Sequence, residues 1–133
     1  MSERRRLALR WGAVVAYSGL IFFLSSLSDL HHLDELSFFD FENRDKVEHF
    51  IAYAIWAFIF SSARAATWPA RPGTAVGIAA VMGTLYGVSD EIHQRYVPGR
   101  TADLKDLAAD AGGALVGALV HAALRRRAEK RKK

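Results

Sequence analysis

Cysteine is absent from the 133 residues, so a disulfide framework, a thiolate metal site and a thiol nucleophile are all excluded. No Gly-x-Ser-x-Gly, P-loop or Rossmann fingerprint occurs, which argues against a serine hydrolase, an NTPase and a dinucleotide enzyme. There is no internal repeat and no low-complexity core. Most telling, charge is missing from four long stretches: residues 11–28, 50–63, 72–89 and 111–124. The net charge of +4 and pI near 9.7 would suit a nucleic-acid binder, but the basic residues gather at the two ends, in Arg4–Arg6 and in 125–133. That placement is the pattern of cytoplasmic anchors on a membrane protein, and it argues against nucleic acid.

A helix needs about 20 mostly apolar residues to cross the hydrocarbon core. The first and third stretches meet that length. The second and fourth meet it when the helix includes a polar turn at one end, Asp45 to Phe50 in one and Asp103 to Asp110 in the other. The sequence therefore predicts an all-α, polytopic four-helix membrane bundle forming one domain over 1–133, with transmembrane helices about 8–28, 46–66, 72–92 and 104–124. A secretory signal peptide is the rival reading of the first stretch. The run is longer than a typical signal core and no small-x-small cleavage site follows it, which favours a retained helix.

Thirteen of the 18 lysines and arginines fall in 1–10, 64–73 and 125–133, against five in the intervening loops. This bias puts both termini in the cytoplasm and requires an even number of spans, a multi-pass arrangement. Twelve of the 14 acidic residues lie on the opposite, outer side. Trp11 and Trp68 are expected at the inner interface. Phe38, Phe39, Phe41 and Tyr96 are expected near the outer one, with LSFFDF at 36–41 lying either in the headgroup layer or as a loop on the helix ends. Small residues at Gly73/Gly77, Gly83/Gly87 and Ala109/Gly113/Gly117 predict close packing of helices three and four as an antiparallel hairpin, in preference to homodimerisation.

Three polar groups meet on the outer side. Asp45 and His49 follow i, i+4 spacing, with Lys46 beside them and Tyr53 one turn on. Glu91 and Gln94 share a face at the end of helix three, after Asp90. Pro98-Gly99-Arg100 precedes Asp103, Asp106 and Asp110, whose spacing of three and four lines one face of helix four with carboxylates. That face continues into Gly113 and Gly117, so the carboxylates should point into the bundle.

The segments DKVEHFIAY and GVSDEIHQRYVPGRTADLKDLAADAGGALVG resemble the VanZ-like family of small bacterial membrane proteins. The likeness spans about 45–117 and rests on the order and spacing of three motifs. It implies a four-helix inner-membrane protein. The founding member is associated with resistance to the glycopeptide teicoplanin, which connects the family to the cell envelope and antibiotic resistance without fixing a reaction.

Ionisable groups within a membrane are costly and point to function by default. His49, Glu91 and Asp106 are the candidate proton-handling, catalytic residues. Asp45, Lys46, Gln94, Arg100, Asp103 and Asp110 are the candidate ligand-binding set, with Arg100 and Lys46 as anion partners. The structural alternative is an ion-pair network in which Arg100 and Lys46 neutralise Asp45, Asp103 and Asp106. His49, Glu91, Asp106 and Asp110 offer imidazole and carboxylate groups to a divalent metal, yet no local metal motif is present, so no metal ligand is assigned and the cofactor stays open. His31, His32 and His93 are expected in solvated loops and His121 at the inner interface. The expected partners are the lipid bilayer and a phosphate-bearing lipid or cell-wall precursor. Binder, membrane enzyme and noncatalytic accessory subunit all remain open, as does the oligomer.

Overall fold

The computed structural model describes residues 1–27 and 44–132. The expectations placed on 28–43, including His31, His32 and the phenylalanines of LSFFDF, lie outside the described residues. Four helices carry the chain: α1 (Glu3–Ser25), α2 (Arg44–Thr67), α3 (Pro72–Gln94) and α4 (Leu104–Lys130). Each contains an apolar window long enough to cross a membrane. At about 1.5 Å per residue, the 23 residues of α1 outreach a hydrocarbon core of about 30 Å.

Local chemistry sets the helix ends. Ser2 caps α1 by accepting from Arg5 N–H, and Glu3 sits in the first turn, where the helix dipole favours an acid. This cap starts α1 five residues before the expected residue 8. Pro72 opens α3, where its missing N–H costs nothing. The α3–α4 link contains a turn in which Arg100 N–H donates to Val97 O at 3.1 Å, with Pro98 and Gly99 at its centre. Gly99 has φ of 79°, the left-handed value a type II turn needs at that position. Asp103 then caps α4 through Lys105 N–H at 2.9 Å. The last helix runs six residues past the expected 124, because RRRAEK is a good helix former held by Arg125 Nε to Glu129 Oε1 at 3.1 Å.

The helices run alternately up and down. The start of α1 meets the end of α2, with Trp11 Nε1–H donating to Thr67 Oγ1 at 2.9 Å and the Trp11 and Trp68 rings 5.8 Å apart. The other end of α1 meets the end of α3, where Ser26 and His93 are hydrogen bonded at 2.9 Å and Phe22 stacks on the His93 ring. His93 is therefore a packed, bonded residue and not a solvated one. Both termini lie at one end of the bundle, called here the basic end. The polar motifs lie at the other, the acidic end.

Helix α2 is the centre, touching all three neighbours, while α1 packs on α2 and less on α3. Large apolar side chains such as Val15, Phe23, Val81 and Leu85 point outward. Small ones such as Ala57, Ala63, Ala79, Ala114 and Ala118 are buried between helices. That inversion is what lipid as solvent selects, because close backbone approach replaces hydrophobic drive. Trp56, stacked on Phe60 and Tyr86, fills the middle, and its Nε1–H donates to Ser18 Oγ at 2.8 Å.

One packing expectation is corrected. Gly113 and Gly117 face the backbone of α2 at Phe50 and Ala54, not α3, and a Cβ at either would collide with those carbonyls. The stripe facing α3 is Asp110 and Ala114, opposite Gly87 and Gly83. The two stripes are offset by about 60° around the helix axis, so α4 presents one to each neighbour and lies in the groove between α2 and α3. Gly73 and Gly77 have no neighbour that a Cβ would meet.

Candidate functional site

The acidic end buries five ionisable or amide side chains at membrane-helix positions: Asp90, Glu91, Gln94, Asp106 and Asp110. Asp110 is fully buried, and its Oδ1 lies 2.8 Å from His49 Nδ1, across the α2–α4 contact. Asp110 fits because Gly87 stands opposite: a Cβ there would come 2.8 Å from Asp110 Oδ2. The i, i+4 spacing of Asp45 and His49 suggested a partner on the same helix, but the histidine pairs across the bundle. Glu91 Oε2 accepts the backbone N–H of Asp103 at 2.9 Å, which ties the end of α3 to the start of α4.

Above this layer Lys46 gathers three carboxylates. Its Nζ is 2.7 Å from Asp45 Oδ2, 3.2 Å from Asp106 Oδ1 and 3.5 Å from Asp103 Oδ2. Asp103 accepts the Lys105 backbone N–H and lies beside the Lys46 ammonium, and both hold its carboxyl below the usual carboxylate range. Arg100 departs from the expected position over Asp106. It lines a cavity of about 290 Å³ with Glu48, His49, Asp90 and Gln94. Its guanidinium makes no ion pair among the described residues. Lys46 takes the neutralising role because it lies one turn before His49 on the face of α2 that meets α4.

The cavity lies between α1, α2 and α3. Ile21, Leu24 and Ala52 give it apolar walls, and Ser25 and Tyr53 face it. Ser25 Oγ, Tyr53 Oη and Asp90 Oδ1 are buried without a hydrogen-bond partner. Gln94 Nε2 donates to Asp90 Oδ2 at 3.3 Å and leaves the other oxygen free. Unmet buried polar atoms in a native fold call for a water, ion or ligand. Sequence reasoning missed Ser25, Glu48 and Asp90 as site residues. Asp90 carried a signal, a second carboxylate beside Glu91 at membrane depth. Ser25 and Glu48 carried none, since they reach the cavity only through helix packing.

Three of the four groups weighed as metal ligands come together. His49, Glu91 and Asp110 each offer a ligand atom, and these lie within 4.8 Å of one another. Glu91 Oε1 and Asp110 Oδ2 are buried and unpartnered. One nitrogen and two oxygens at this separation fit a divalent ion of the Zn²⁺ or Mn²⁺ kind. Asp106 belongs to the Lys46 cluster instead. Chemically, the arrangement offers an oriented histidine–aspartate pair able to hold or pass a proton, a cation-ready carboxylate pair, and a guanidinium free for an anion.

In comparison with protein families, the model described as VanZ/LLP1 matches residues 11–125. No curated protein and no solved structure matches the chain. The family match takes in all four helices and every residue of the cluster, and the chain belongs to the VanZ/LLP1 family.

Proposed function

We propose that this membrane protein receives a phosphate-bearing envelope lipid or lipid-linked cell-wall precursor at its acidic end, on the outer side of a bacterial inner membrane. The observation that carries this reading is Arg100, a guanidinium without an ion pair among the described residues, on a cavity with apolar walls and three unmet buried polar atoms. A planar guanidinium takes a phosphate bidentately. Ser25, Tyr53 and Asp90 suit hydroxyl or amide groups beside that phosphate, and the apolar walls suit an acyl or prenyl chain. Family membership connects such binding to glycopeptide resistance as a proposal of the same kind.

Native mass spectrometry of gently solubilised protein tests the reading. The parent should retain a phosphate-bearing lipid, and Arg100→Gln should lose it by about tenfold or more, the worth of a charge-assisted contact. Equal retention by both would overturn it. Glu91→Gln separates binder from enzyme, because Gln still accepts the Asp103 N–H: an enzyme loses turnover while lipid stays bound. A noncatalytic accessory subunit would tolerate both changes and co-purify with a partner.

A second reading is favoured by the clustering of His49, Glu91 and Asp110. Here the site holds a divalent cation that faces the bound phosphate. Elemental analysis of the purified protein, with Asp110→Asn as control, tests it.

A further inference from the structure

The basic end buries a second charge that the acidic cluster does not use. Arg64, in the last turn of α2, is only 5% exposed. One of its terminal nitrogens donates to Trp68 O at 2.7 Å, while its Nε is buried with no partner. No carboxylate pairs with it among the described residues. Arg64 lines a cavity of about 190 Å³ together with Ser61, Pro72, His121, Arg125 and Arg126. The one acid there, Glu129, is already held by Arg125 at 3.1 Å. A buried guanidinium with a free donor, surrounded by like charge, is unfavourable unless an anion completes it.

Two further features point to the same anion. Helix α3 begins at this cavity with Pro72, and its N-cap Arg71 provides no side-chain cap. The positive end of a 23-residue helix therefore faces the pocket uncapped. The Trp11–Trp68 pair, with Trp68 62% exposed, lies at the same end of the bundle, and such rings favour the depth of the lipid headgroups.

We propose that this pocket binds the phosphate of an anionic phospholipid headgroup in the leaflet at the basic end, with Arg64 as its inner ligand and Arg125 as its outer one. Basic pockets between membrane helices take lipid phosphates in this way. The site is separate from the acidic cluster and does not depend on what that cluster binds.

The test compares full-length protein in nanodiscs of phosphatidylcholine alone and of phosphatidylcholine with phosphatidylglycerol, by thermal melting, and follows retained lipid by native mass spectrometry. Phosphatidylglycerol should raise the melting temperature and stay bound. Arg64→Gln should lower its retention by about tenfold, and Arg125→Gln should lower it less. Arg131→Gln and Lys132→Gln, exposed near the end of α4 and outside the pocket, should match the parent. The proposal is overturned if the Arg131 and Lys132 changes reduce retention as much as the Arg64 change, since the attraction is then a general surface effect. It is also overturned if inorganic phosphate alone, in neutral detergent, gives the whole stabilisation, since the ligand is then soluble. Should Arg64→Gln fail to fold, Arg125→Gln decides: parent-like retention overturns the site.

Discussion

His49 Nδ1 and Asp110 Oδ1 lie 2.8 Å apart, joining α2 to α4 through a carboxylate wholly removed from solvent. Removing one partner of this buried hydrogen-bonded pair leaves the other unsatisfied, at a cost of about 1–3 kcal/mol and more where the stranded group is charged. His49→Leu should therefore lower the melting temperature strongly. The double change His49→Leu with Asp110→Leu should recover much of it, because two apolar groups leave no stranded charge. Thermal melts of the single and double variants in one detergent check this, and a double variant no better than the single would count against the pair.

Gly87 makes the room that Asp110 occupies. Gly87→Ala should displace the Asp110 carboxylate from His49. The expected result is a folded protein with weakened binding of divalent ions or lipid at the acidic end. Gly83→Ala is the contrasting change. Its Cβ would come 2.5 Å from the Ala114 Cβ, which overpacks the helix contact and costs about 1–3 kcal/mol. Melting curves beside binding measurements should show the two glycines failing in different ways.

Gly113→Leu and Gly117→Leu should destabilise the fold more than Leu115→Ala or Val116→Ala. The glycines touch the carbonyls of Phe50 and Ala54, whereas Leu115 and Val116 are 44% and 41% exposed toward lipid. Overpacking there costs about 1–3 kcal/mol or more. Extraction yield and melting temperature give the comparison, and parent-like behaviour of the glycine variants would disprove the tight α2–α4 contact.

Topology is open to a direct test. Reporter fusions after Lys133 and within 64–73 should report the cytoplasm, and fusions within 95–102 the outside, following the basic bias. A C-terminal fusion that reports the outside would reverse the orientation and place the His49–Asp110 pair on the cytoplasmic face.

The four helices were legible because their signals are long and repeated: charge-free runs, the Pro72 start and the acidic spacing of 103, 106 and 110. That spacing also foretold the inward face of α4. The partners were less legible. Periodicity gives the direction a side chain takes from its own helix, but not which neighbour stands there. Gly113 and Gly117 were thus assigned to the wrong partner. Arg100 and Lys46 are both cations beside carboxylates, and only the turn at Gly99 determines which of them reaches Asp106. In the sequence Arg64 counts only among the basic residues of 64–73, because a basic residue near a helix end reads as an ordinary anchor until its burial is seen.

The bond from Asp103 N–H to Glu91 Oε2 has a consequence for biogenesis. His49 leaves the ribosome with α2 and Glu91 with α3, while their partners, Asp110 and the Asp103 N–H, arrive only with the start of α4. Until that last helix folds back, His49 and Glu91 stand without these partners. Closure of the final hairpin brings Asp103 and Asp106 to Lys46 beside Asp45, seats Asp110 against His49 and ties Glu91 to the Asp103 N–H in one event. A nascent chain that stalls before Asp110 thus leaves the His49 ring without its bonding partner, so assembly of the acidic end waits on the last helix.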